Sequence, residues 1–87
     1  MPSKDLFLKR VYEIVNELKI PLIDERVFNR FDVSESRYPI VCIFKFDEDE
    51  SVIRGFLGLA EYFHTIIYKL KNSFYIPYGG QLYKLIS

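Results

Sequence analysis

The stretch from Val52 to Leu70, VIRGFLGLAEYFHTIIYKL, leaves a chain this short few ways to fold. Its apolar residues fall into two series, Ile53, Leu57, Ala60, Ile67 and Val52, Phe56, Leu59, Phe63, Ile66, Leu70. Spacings of three, four and seven are the α-helical period. Arg54, Gly58, Glu61, Thr65 and Lys69 remain as a narrow polar stripe, so a helix built from this stretch must be covered on most sides. Asp47-Glu48-Asp49-Glu50 precedes it, where acidic side chains interact favourably with the helix dipole, and Ser51 or Asp49 suits the N-cap. Lys69, Lys71 and Asn72 suit the far end. The spacing predicts one helix over 52–70. The run His64-Thr65-Ile66-Ile67-Tyr68 has high β-propensity, however, and Gly55 and Gly58 weaken a helix. The alternative is a helix at 49–60, a strand at 62–70 and a hairpin turn at Lys71-Asn72. A membrane span is disfavoured, because Arg54, Glu61 and Lys69 interrupt the stretch.

The rest of the chain supplies what could cover such an element. Lys4 to Leu18 reads as a helix, with Ser3 as N-cap, Asp5 in the first turn and an apolar face of Phe7, Val11, Ile14, Val15 and Leu18. Lys9 and Glu13 are placed to pair, and Pro21 stops the helix. Residues 24–32 fit a short helix capped by Asp24, with Ile23, Val27 and Phe31 on one face, or an irregular strand; the helix is the favoured reading. Residues 32–37 are polar and read as a loop. Tyr38 to Phe46, YPIVCIFKF, is the clearest strand, and its two apolar faces predict a central position or cover on both sides.

The tail reads as a hairpin around Gly79-Gly80, where both residues accept positive φ. That register sets Tyr78 against Gln81, Pro77 against Leu82, Ile76 against Tyr83 and Phe74 against Leu85. Phe74, Ile76, Tyr83 and Leu85 then face the core. Pro77 lacks a donor, so 74–78 is expected at a sheet edge, with 82–86 pairing with 40–46. The fold class predicted is α+β: one domain over residues 1–87, with a small antiparallel sheet of about three strands against two to three helices.

Chemistry is thinly supplied. One His and one Cys cannot build a transition-metal site, and the acidic run 47–50 lacks the glycine and spacing of a calcium loop. No glycine-rich phosphate loop is present. A Cys42–His64 pair lacks an activating neighbour in sequence, and an Asp32, Glu35, Lys45 trio is of a kind that any charged chain offers. No enzyme, cofactor or metal is expected. A single cysteine and the absence of an apolar leader point to a reducing cytoplasm. Only four Asn and Gln residues occur, a lean toward a heat-adapted source.

Two surfaces remain. Arg26, Arg30 and Arg37 form a local basic group that could contact phosphates, although twelve basic and twelve acidic residues balance overall. The second surface is apolar: Tyr62, Tyr68, Tyr75, Leu82 and Ile86, with Val41 and Ile43. The chain is 49% apolar and 17% aromatic, more than so small an interior readily hides. Large exposed apolar patches mark partner sites, and tyrosine is enriched there. The expectation is therefore a small non-enzymatic interaction protein, a homodimer that binds a protein partner. The alternative is a nucleic-acid-binding regulator using the three arginines.

Overall fold

A computed structural model describes residues 4–24 and 37–87. Its elements are α1 (Lys4–Leu18), β1 (Leu22–Asp24), β2 (Ile40–Lys45), α2 (Glu50–Phe63), β3 (Ile67–Leu70), β4 (Ser73–Tyr78) and β5 (Gln81–Ile86). The α+β class is as predicted. The sheet is larger than expected and mixed, with five strands in the order β1-β3-β4-β5-β2. The inner pairs β3–β4 and β4–β5 are antiparallel; the outer pairs β1–β3 and β5–β2 are parallel. The second helix expected at 24–32 lies, beyond Asp24, outside the described residues, as does the Ser3 cap.

The single helix over 52–70 is corrected to its alternative. Asp49 caps α2, accepting the Ser51 backbone N–H at 2.9 Å. The helix stops at His64, which takes the left-handed conformation (φ 53°, ψ 47°). There the His64 N–H donates to Glu61 O and the Thr65 N–H to Ala60 O, which satisfies carbonyls the last turn would leave open. α1 ends the same way: Lys19 has φ 55°, the Lys19 N–H donates to Asn16 O and the Ile20 N–H to Val15 O. Released from the helix, Ile67–Leu70 lies between β1 and β4, where β-branched and aromatic side chains pack on a pleated surface.

That extra strand explains the second correction. β4 is the centre of the sheet, not its edge, because β3 occupies the side expected to be open. The β3–β4 register involves only Ser73, Phe74 and Tyr75, so Pro77, without a donor, lies beyond it. The hairpin register is the predicted one, from Tyr78–Gln81 to Phe74–Leu85, over Gly79 (φ 62°) and Gly80 (φ 77°). β5 pairs with β2 as expected. Among the described residues β2, however, is an edge strand, and its Val41, Ile43 and Lys45 are exposed.

Both helices lie on one face of the sheet. Phe7, Val11, Ile14 and Val15 of α1 and Ile53, Phe56, Leu57 and Ala60 of α2 form the main core with Phe46, Ile67, Phe74, Ile76 and Leu85. Phe7 packs against Phe46 and Phe74 at ring separations of 5.6 and 5.8 Å, and Phe44 meets Phe56 edge-on at 5.7 Å. Outside the core the two helices are laced by exposed ion pairs, Arg54 with Glu17 (2.6 Å) and Arg10 with Glu50 (3.2 Å), and Arg54 also pairs with Glu50 within α2 (3.8 Å). Glu13 pairs with Arg10 at 3.5 Å instead of the expected Lys9. The opposite face of the sheet carries a smaller cluster of Tyr68, Tyr75 and Leu82 with Ile23, Tyr38, Ile40, Ile66 and Leu70 around it.

Candidate partner-binding surface

Among the described residues, the side chains that bear reactive groups do not gather. Cys42 is half-buried on β2 opposite Tyr83, while His64 stands in the left-handed turn that ends α2. A cleft of about 470 Å³ opens where the two helices end, between Leu18–Pro21 and Ala60, Glu61 and His64–Ile66. Its wall is largely aliphatic, and the Thr65 hydroxyl is directed to Pro77 O at 3.4 Å. Cys42 does not line it. Of the carboxylate–lysine trio, Asp32 and Glu35 lie outside the described residues and Lys45 is exposed at the end of β2. No group of His, Cys, Asp and Glu among the described residues is disposed to hold a metal ion. No helix among them is long and apolar enough to cross a membrane.

The five residues expected to form an open apolar surface divide. Tyr68, Tyr75 and Leu82 are interior to the subunit, packed on one another on the sheet face away from the helices. Burial raises the Tyr68 phenol above its ordinary pKa. Lys84 lies over the Tyr75 ring, 5.4 Å from its centroid. These three therefore belong to a second core, and Ile86 is only half-buried. Tyr62 is different: 79% of its surface is open.

Tyr62 belongs to an aromatic group that the sequence reading did not assemble. Its ring is 5.6 Å from Phe63. Phe63 stacks on Tyr78 at 4.1 Å with the planes 10° apart, and is 5.4 Å from Tyr83. The last turn of α2 thus presses on the tip of the hairpin, and Tyr78 stays 51% exposed. Rings with an apolar body and a polar tip are the side chains most often found as anchors in interfaces. The signal for Tyr78 was present in the hairpin register, which puts it on the same face as Phe74 and Ile76. Phe63 was hidden because the long-helix reading had no end at His64.

The third exposed region is the rim of β2. Val41 and Ile43 are 45% and 57% exposed, large β-branched side chains on an edge strand. The register with β5 shifts at Ile40/Cys42, so Val41 is the extra residue of a bulge, and regular pairing resumes from Cys42 to Lys45. The opposite edge is built differently: β1 is described over Leu22–Asp24, and Lys69 approaches Asp24 at 3.9 Å. Of the three arginines, Arg37 is exposed, and Arg26 and Arg30 lie outside the described residues.

Comparison of the chain with protein-family models, with curated proteins and with solved structures found no match.

Proposed function

We propose that this chain is a small non-enzymatic interaction protein that works as a homodimer and presents an aromatic surface to a protein partner. The observation that carries the reading is the uncovered apolar rim of β2, where Val41 and Ile43 stand in water on a strand whose composition suits a sheet interior. The aromatic group Tyr62, Phe63 and Tyr78 supports the second half of it, since Tyr62 and Tyr78 are large rings left more than half exposed. A reducing cytoplasm is the compartment proposed, in keeping with one free cysteine.

The test is sedimentation velocity across a concentration series from about 1 to 100 μM. A mass that rises from one subunit to two supports the reading; one subunit throughout removes it. The nucleic-acid reading on Arg26, Arg30 and Arg37 is the weaker one, because the charges of the chain balance. A salt-sensitive gel shift abolished by Arg26→Ala with Arg30→Ala would bring it forward.

A further inference from the structure

We propose that two copies of this chain join by antiparallel pairing of their β2 strands, with Ile43 beside Ile43 of the second copy on the two-fold axis. Two five-stranded sheets then become one continuous sheet. The inference rests on the homodimer reading above and assigns its interface.

The backbone fixes which groups are available. The Phe46 N–H donates to Ile86 O at 2.9 Å, so Phe46 turns toward β5. Successive residues of a strand turn opposite ways. Phe44 and Cys42 therefore also turn toward β5, and Lys45 and Ile43 direct their N–H and C=O groups at the open edge. Among the described residues no strand pairs with that edge. An edge of this kind is a template for a further strand unless it is short, charged or covered. β1 has the second of these protections, in Asp24 with Lys69 beside it. β2 has a bulge at Val41 and a lysine at its end, which leave the backbone groups of Ile43 as the unguarded part of the edge.

The sequence of β2 then chooses its occupant. Antiparallel strands alternate between residue pairs that exchange hydrogen bonds and pairs that do not. A two-fold axis at Ile43 sets Ile43 against Ile43, and Val41 against Lys45 in both directions. The outward-turned Ile43 then faces an outward-turned Ile43. Moving the axis to Cys42 sets Lys45 against Pro39, which has no N–H and whose carbonyl already accepts from the Leu82 N–H at 2.9 Å. Moving it to Phe44 sets Val41 against Asp47. The Ile43 axis also brings the acidic turn 47–50, which follows β2 in one copy, to the end of the other copy's β2 that Arg37 precedes. Such a contact is closed by its own symmetry, so it yields a dimer and not a fibre.

Cross-linking reads the register. In a Cys42→Ser background, Ile43→Cys places two thiols next to each other on the axis. Val41→Cys places them four residues apart along the strands, roughly 13 Å. A short bis-maleimide is expected to convert most of the Ile43→Cys protein to a covalent dimer and little of the Val41→Cys protein. Ile43→Lys, at a position more than half exposed, is expected to keep the fold by circular dichroism and to weaken dimerisation at least tenfold in sedimentation. A dimer that survives Ile43→Lys, or that cross-links at Val41→Cys and not at Ile43→Cys, overturns this interface while leaving self-association standing. A wild-type chain that stays monomeric overturns both.

Discussion

The ring of Phe63, the last residue of α2, lies nearly parallel to that of Tyr78 at the hairpin tip, with 4.1 Å between centroids. The contact ties the C-terminal turn of a helix to the far end of a two-stranded ribbon. Pairs of this kind contribute about 0.5–1.5 kcal/mol beyond the area they bury. Tyr78→Ala is therefore expected to destabilise by about that amount in urea unfolding, and Tyr78→Phe by much less. On the proposed reading of the aromatic group as a partner surface, the same Tyr78→Ala change should weaken that binding more than it lowers stability, because Tyr78 remains half exposed.

Leu82 and Ile43 separate the interior from the proposed interface. Leu82 has no exposed surface and packs with Tyr68 and Tyr75; Ile43 is more than half open. Leu82→Ala is expected to cost about 2–5 kcal/mol of folding free energy at any protein concentration. Ile43→Ala is expected to cost under about 0.5 kcal/mol when the protein is dilute and monomeric, and to show its effect only where subunits associate. Thermal melts at two concentrations at least fiftyfold apart check both statements.

His64 ends α2 in the left-handed region, where a Cβ is disfavoured and glycine is not. His64→Gly is expected to raise stability by up to about 1 kcal/mol, several degrees in Tm for a chain of this size. A loss of stability would mean that the imidazole makes a contribution in the cleft beside it that outweighs the backbone strain.

The acid limb of stability should carry a contribution from Asp49. The Ser51 backbone N–H holds its carboxylate below the ordinary carboxyl pKa. The folded chain thus favours the ionised form, so this contribution is present above the unfolded pKa of about 4 and is lost as pH falls through the folded value. Asp49→Asn keeps an acceptor for the cap and cannot titrate. Its stability is expected to fall less steeply than that of the wild type below pH 4, in denaturant titrations at stepped pH.

Local signals carried a good part of this fold, and non-local ones did not. The apolar face of α1 and the Asp49 cap of α2 follow from spacing and side-chain chemistry. So does the full hairpin register, which two glycines and alternation determine. The end of α2 was misjudged because a histidine, not a glycine, takes the left-handed turn, and because Ile66, Ile67 and Leu70 happen to continue the helical spacing. β1 is described over Leu22–Asp24, too short a stretch to show a period, and it pairs with β3 across more than forty positions of sequence. Without β1 and β3 in view, β4 looked like an edge and β2 like a centre. The candidate surface was legible at Val41, Ile43 and Tyr62. Tyr68, Tyr75 and Leu82 looked equally exposable, because residue type does not reveal that the second sheet face has a small core of its own.

Backbone hydrogen exchange along β2 tests the central claim most directly, because it reads the edge residue by residue in the unaltered protein. Cys42 and Phe44 turn toward β5 and should exchange slowly at every concentration. The amides of Ile43 and Lys45 face the open edge, and their exchange is predicted to slow markedly as the protein is concentrated into the dimer range. Exchange at Ile43 and Lys45 that stays as fast as in an unstructured peptide at all concentrations, beside protected Cys42 and Phe44, would contradict the account.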